Sequence, residues 1–176
     1  MKIPYRTKTK LIDIDNLNAD DICIEDIACS LAGQARFNGI TRPVYTVAQH
    51  SVLCSLMSPE GYELAALLHD AHEYILGDIC KPVADFINNG LIEIDAISDI
   101  KMHIDNIIRT KYYTKNRFDD DVILEIDNRM LATEMVAFFG TNYLSDFEPY
   151  PGSVVAWDTD KAERMFLGRF HELCKY

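Results

Sequence analysis

The chain has 176 residues, of which 48% are hydrophobic and 26% charged, a composition typical of one globular domain rather than a disordered or fibrous protein. Its 28 Asp and Glu residues against 17 Lys and Arg give a formal net charge of -11. This charge argues against binding to long nucleic acids, where affinity depends on neutralising phosphates. We therefore expect a single domain over residues 1–176 that does not bind long nucleic acid.

The five cysteines are an odd number and contain no CxxC pair, so a disulfide scaffold is not expected. The N-terminal sequence lacks the apolar run of a signal peptide, and no apolar stretch is long enough for a transmembrane helix. These features predict reduced thiols and a cytoplasmic protein with no membrane partner.

Hydrophobic periodicity predicts a short strand or extended arm over residues 7–17 and helices over most of the remaining chain. Helices are expected over residues 24–37, 46–57, 60–76, 93–113, 120–139 and 159–173. Gly77 is expected to cap the third of these, Pro82 to open another short helix, and Asn88-Asn89-Gly90 to form a turn. The fold class predicted is all-α, with the apolar helix 60–76 at its centre.

Five ionisable residues lie on apolar helical segments: His50, His69, Asp70, Glu73 and Asp127. A buried aspartate is unfavourable unless it is paired, hydrogen-bonded or bound to a metal. Because Glu73 follows His69 by one helical turn, we expect His69, Asp70 and Glu73 on one helical face. Two imidazoles and two carboxylates suit Mn²⁺, Co²⁺, Fe²⁺ or Zn²⁺, and suit Mg²⁺ less well. The spacing alone leaves open whether these side chains bind a metal or are satisfied within the core.

The order of these residues resembles the signature of the HD superfamily of metal-dependent phosphohydrolases. The likeness is closest to a branch of bacterial and phage 5'-deoxynucleotidases and deoxynucleoside triphosphate triphosphohydrolases. It is carried by YTVAQHSV at residues 45–52, ALLHDAHE at 66–73, GD at 77–78 and LATE at 131–134. The resemblance covers residues 21–139 and implies a helical bundle built as one HD domain.

The resemblance also implies roles for individual residues. It makes His50, His69, Asp70 and Asp127 the metal ligands, and Glu73 the residue that orients or activates the attacking water. It further assigns Asp78 to protonating the leaving group or holding the sugar, and Arg36 and Lys81 to contacting phosphate. Three of these residues also have ordinary structural explanations: Asp78 as a helix cap, Arg36 as a helix-end cation, and Lys81 as solvated surface.

Three further residues near the motif receive no ligand role. His72 points about 100° away from Glu73 on an ideal helix, Glu134 is either a partner of the ligands or a structural residue, and Cys54 falls outside the pattern.

The function expected is release of phosphate from deoxynucleoside 5'-monophosphates by a divalent-metal enzyme, with a nucleotide as the small-molecule partner. Triphosphate release from deoxynucleoside triphosphates is the alternative, because both activities share the motif residues. Two further alternatives stay open. The protein could hydrolyse a cyclic or alarmone nucleotide, or it could be a non-catalytic helical binding module. Broad apolar faces on helix 93–113 and the terminal helix agree either with a homo-oligomer or with packing inside one core.

Overall fold

A computed structural model describes residues 4–90, 96–113 and 119–174. The described chain is mostly helical, as predicted, and its sheet has two antiparallel strands, β1 (Tyr5–Arg6) and β2 (Leu11–Ile12). The helices in chain order are α1 (Ile24–Gly33), α2 (Val47–Met57), α3 (Glu63–Leu68), α4 (Glu73–Leu76), α5 (Lys81–Gly90), α6 (Ala96–Tyr112), α7 (Asp120–Phe139) and α8 (Thr159–Leu173).

The N-terminal extended segment is a hairpin rather than one strand. Strand β1 lies before the predicted range 7–17, and the chain turns back where Thr7 donates from its amide and hydroxyl to the Lys10 carbonyl, both at 2.9 Å. Asp26 of α1 accepts hydrogen bonds from the Thr9 amide and hydroxyl, each at 2.7 Å. This buried carboxylate therefore holds the hairpin against α1.

Helix α1 is shorter than predicted, because the chain leaves the helix after Gly33 to pair with the segment that precedes α2. Ala35 forms a β-bridge with Thr46, and the Arg36 amide donates to the Tyr45 carbonyl at 2.9 Å. A short 3₁₀ turn, Arg36–Gly39, then reverses the chain through positive φ angles at Phe37 and Asn38. The prediction of a helix over residues 24–37 was wrong for its last four residues.

Helix α2, rather than the predicted helix 60–76, is the centre of the fold. It packs against α1, α3, α7 and α8, and both its apolar and its polar side chains are buried along most of its length. Thr46 caps its first turn by accepting from the Gln49 amide at 3.3 Å. The main hydrophobic core lies where α1, α2, α3 and α8 meet.

The predicted helix 60–76 is divided into α3 and α4 by a turn over residues 69–72. Within the turn the hydrogen bonds tighten to i→i−3, from the Ala71 amide to Leu68 and from the Glu73 amide to Asp70, both at 3.0 Å. The His69 ring also donates from Nδ1 to the Ala66 carbonyl at 2.8 Å, the acceptor that a continuous α-helix offers to residue 70. Gly77 ends α4 at a positive φ of 79°, which confirms its predicted capping role.

The turn predicted at Asn88-Asn89-Gly90 was wrong, because the backbone of α5 continues in helical conformation through Gly90. Turn propensity is a weak local preference that an established helix can override. The first residues of the predicted helix 93–113 lie outside the described residues, and the described part is α6.

Helices α7 and α8 confirm the prediction. Asp119 caps the start of α7, Gly140 ends it in the left-handed conformation, and Asp158 caps α8 by accepting from the Lys161 amide at 2.7 Å. In the described part of the chain, no helix combines the length and the apolar character needed to cross a membrane.

Candidate metal centre

His50 lies in the middle of α2 and is completely buried. Its Nδ1 is 2.5 Å from Oε1 of Glu134 on α7, and its Nε2 points to the opposite side. An imidazole that faces a carboxylate through one nitrogen carries its proton there, which leaves the other nitrogen with a lone pair. Glu134 therefore fixes both the orientation and the tautomer of His50.

His69 is oriented in the same manner by the turn after α3. Because its Nδ1 donates to the Ala66 carbonyl, the neutral ring presents the lone pair of Nε2. The two Nε2 atoms of His50 and His69 lie 3.3 Å apart. Two lone pairs at this distance repel each other unless a positive charge lies beside them.

Asp70 and Asp127 place carboxylate oxygens beside the same two nitrogens. Asp127 Oδ1 is 3.0 Å from Nε2 of His50 and 3.8 Å from Nε2 of His69. Asp70 Oδ2 is 3.1 Å from Nε2 of His69 and 3.7 Å from Nε2 of His50. Side chains from α2, the 69–72 turn and α7 thus converge as the sequence predicts.

The distances that the two Nε2 atoms make to each other and to the two carboxylates agree with one divalent ion. Ligands about 2.1 Å from an octahedral ion lie about 3.0 Å apart at right angles and about 4.2 Å apart across it, and the distances above fall between these limits. Imidazole nitrogen with carboxylate oxygen is a donor set that Mn²⁺, Fe²⁺, Co²⁺ and Zn²⁺ accept. His50, His69, Asp70 and Asp127 could therefore hold such an ion; they are called the donor cluster below.

The electrostatics of the donor cluster also favour a cation. Burial alone lowers the pKa of the His69 imidazole, but Asp70 and Asp127 outweigh this effect and raise it well above its usual value. Burial raises the pKa of Asp127, yet its contacts with His50 and His69 lower it well below the usual range. The site thus attracts positive charge, which a metal can supply in place of protons.

Cys54 lies against the donor cluster, although the sequence gives it no role. Its buried Sγ is 3.5 Å from Nε2 of His50, one turn earlier on α2. With His50, His69 and Asp127 it forms a compact group of potential metal ligands, whereas Asp70 groups with His72 and Glu73. We assign Asp70 to the donor cluster because its oxygen is 3.1 Å from Nε2 of His69. Asp70 therefore lies between two adjacent groups of donors.

Arg36 and Glu134 contact residues of the donor cluster without being among its four members. Arg36 Nε is 3.3 Å from Oε2 of the fully buried Glu134, and its NH1 is 3.6 Å from Oδ2 of Asp70. Tyr45 donates its hydroxyl to Oε1 of Glu134 at 2.7 Å. Burial raises the pKa of Glu134, but Arg36 and His50 outweigh burial and lower it. The structure places Arg36 between two carboxylates, and makes Glu134 the partner of His50.

Glu73 and Asp78 lie beside the donor cluster, around the short helix α4. Glu73 is 8% exposed, and its Oε2 has no hydrogen-bond partner among the described residues. Burial and the nearby carboxylates of Asp70 and Asp78 raise the pKa of Glu73 to about 9. Burial likewise raises the pKa of Asp78. Lys81 is exposed at the start of α5.

His72 is buried and faces α6. Its Nδ1 is 3.0 Å from Oδ1 of Asp105. Hydrophobic periodicity could not predict this contact, because the two residues are 33 positions apart in the sequence. The signal that the sequence did offer for it was a histidine in an apolar run for which no partner was predicted.

Comparison with known proteins gives relatives but no named activity. No protein-family model matches the chain. It is 45% identical over 93 residues to the uncharacterized protein RCAP_rcc00048 of Rhodobacter capsulatus, a match that spans 48% of this chain and 47% of that protein. It is 32% identical over 169 residues to the uncharacterized protein YfdR of Escherichia coli strain K12, spanning 90% of this chain and 88% of that protein. The chain therefore belongs to the same family as Escherichia coli YfdR.

Proposed function

We propose that this protein is an HD-domain phosphohydrolase that uses a divalent metal ion to release phosphate from deoxynucleoside 5'-monophosphates. The observation that carries the proposal is the convergence of His50, His69, Asp70 and Asp127 from three separate segments, with the two Nε2 atoms 3.3 Å apart. These are the residues to which the resemblance gives the ligand roles. The mostly helical architecture is consistent with an HD domain.

A divalent ion held by the donor cluster would polarise a phosphoryl oxygen and make a neighbouring water more acidic. The residues around it have complementary tasks. Arg36 holds Asp70 and Glu134 in place through its two ion pairs, and the resemblance assigns its positive charge to contacting phosphate.

Glu73 and Asp78 are suited to handling water and protons. Glu73 has a buried carboxyl oxygen without a hydrogen-bond partner among the described residues, so it can orient a water for in-line attack on phosphorus. Burial raises the pKa of Asp78, which favours a carboxyl group that keeps a proton and gives it to the departing 5'-oxygen. Attack by water then yields inorganic phosphate and the nucleoside.

The test is a panel of deoxynucleoside mono-, di- and triphosphates incubated with metal-loaded protein, with the products separated by anion-exchange chromatography. We expect inorganic phosphate and nucleoside from the monophosphates. Free triphosphate from the triphosphates would replace this activity by triphosphohydrolysis, and inertness toward every nucleotide would overturn the proposal.

Asp70→Ala separates an enzyme from a helical module whose histidines are merely buried. We expect this variant to lose its bound metal, measured by elemental mass spectrometry, and to lose hydrolysis as well. Asp121→Ala removes an exposed carboxylate from α7 and is the matched control, with metal content and activity unchanged. Survival of both properties in Asp70→Ala would contradict the enzymatic proposal.

A further inference from the structure

A cavity of about 320 Å³ opens directly beside the donor cluster, between α6 and α7. His69, Asp70 and Asp127 form one of its walls. Its volume is at the lower end of the range of about 300–1,000 Å³ found for small-molecule pockets. A molecule bound in this cavity would therefore touch the ligand residues.

Two cations of α6 line the same cavity, Lys101 and Arg109. They lie four residues before and four residues after Asp105, so all three share one helical face. Asp105 is fixed to His72 at 3.0 Å, and His72 is next to Glu73 in the chain. The contact between His72 and Asp105 thus holds the Lys101 and Arg109 face of α6 toward the donor cluster.

Arg109 makes one of its contacts with an exposed carboxylate. Its NH2 is 3.4 Å from Oδ1 of Asp120, whose side chain is 82% exposed. Exposed ion pairs of this kind contribute little to stability, so a phosphate can compete with Asp120 for the guanidinium. Neither Arg36 nor Lys81, the cations that the resemblance assigns to phosphate, is among the residues that line this cavity.

The remaining walls suit a nucleoside. Leu68, Ile108, Ile123 and Leu124 supply apolar surface, and Tyr113 adds an aromatic ring that can pack against a planar base. The polar pair of His72 and Asp105 lines the cavity as well. The cavity thus offers cations for a phosphate and apolar side chains for a base.

We propose that this cavity binds a nucleoside monophosphate, with its phosphate contacted by Lys101 and Arg109 and its base against the apolar wall of α6 and α7. The inference rests on the proposed function for the identity of the reacting group. It adds two substrate-binding residues from a helix outside the motif.

The experiment measures binding and turnover separately in metal-loaded protein. Equilibrium binding of deoxynucleoside monophosphates is followed by calorimetry, and the kinetics of phosphate release give KM and kcat. We expect Lys101→Ala and Arg109→Ala each to weaken binding and raise KM about tenfold or more, because a hydrogen bond to a charged group contributes about 1.5–3 kcal/mol. The fall in kcat should be smaller, and metal content should stay the same.

Conservative and control variants separate binding from folding. Lys101→Arg and Arg109→Lys keep the charge and should retain most of the affinity. Arg164→Ala removes an exposed cation from α8 and should change neither KM nor affinity. Leu124→Trp changes a residue that is 57% exposed and narrows the cavity without altering its charge, so it should also weaken binding.

The outcomes distinguish this inference from the proposed function. Phosphate release by the unaltered protein with the same KM in Lys101→Ala and Arg109→Ala would overturn the inference and leave the function standing. Nucleotide binding that these variants lose, in a protein that releases no phosphate, would support the cavity and contradict the function. A protein that binds no nucleotide at all would overturn both.

Discussion

Glu134 holds the imidazole of His50 by a contact of 2.5 Å between Oε1 and Nδ1, in a part of the core where both side chains are completely buried. The same carboxylate accepts the hydroxyl of Tyr45 and pairs with Arg36. A carboxylate behind a metal-binding histidine fixes the ring and raises its basicity as a ligand. The position of His50 Nε2 in the donor cluster therefore depends on α7 as much as on α2.

We expect Glu134→Gln to lower the affinity for Mn²⁺ or Zn²⁺ about tenfold or more, because the amide lacks the charge that supports the His50 ring. The measurement is a competition titration against a coloured chelator. Glu125→Gln changes an exposed carboxylate on the same helix and should leave the affinity unchanged. Equal affinities in the two variants would show that Glu134 does not support the metal ligand.

The helices that the sequence predicts best are those whose boundaries depend on local chemistry. Helix α7 begins after an aspartate cap and ends at a glycine with a positive φ, and both signals are visible in the sequence. The end of α1 was missed because it depends on the pairing of Ala35 with Thr46. No local preference at residues 34–37 could indicate that distant contact.

In the site, too, local sequence signals predict some features and distant contacts determine the others. The motif order predicts His50, His69, Asp70 and Asp127 as metal ligands, and the structure brings their side chains together. The turn over residues 69–72 was missed because it involves a bond from the His69 ring to a backbone carbonyl. The roles of Lys101 and Arg109 beside the cavity depend on how α6 packs, which hydrophobic periodicity does not specify.

Glu73 is expected to make the metal-free protein less stable as pH rises. Its pKa is raised to about 9 in the fold against about 4.3 in an unfolded chain, so the folded state retains a proton that the unfolded state loses. Stability falls as pH rises between these two values. Glu73→Gln should remove the contribution of Glu73 to this fall, while that of the histidines stays, and the variant should be more stable than the unaltered protein at pH 8 by about a few kcal/mol, with a smaller difference at pH 5. Urea denaturation in the presence of a chelator measures the difference in unfolding free energy between the two proteins. A difference that does not change with pH would contradict the raised pKa of Glu73.

Asp26 is expected to stabilise the attachment of the N-terminal hairpin. Asp26→Ala leaves the Thr9 amide and hydroxyl without their acceptor, and the loss of buried hydrogen bonds of this kind costs about 1–3 kcal/mol. Thermal denaturation should show a lower midpoint for this variant than for Asp20→Ala, which removes an exposed carboxylate nearby. If both variants melt together, the hairpin is not held by Asp26.

Phe166 tests whether the packing of α8 supports the donor cluster through α2. Its side chain is completely buried in the main core, and α8 packs against both α1 and α2. Replacing a buried phenylalanine with alanine costs about 3–5 kcal/mol, so Phe166→Ala should lower the urea midpoint strongly. Met165→Ala, whose native side chain is 39% exposed, should change stability by only about 0.5 kcal/mol.

Because α2 carries His50, Phe166→Ala should also weaken metal binding at temperatures where the variant is still folded, whereas Met165→Ala should not. Unchanged metal affinity in folded Phe166→Ala would mean that α1, α3 and α7 suffice to position His50.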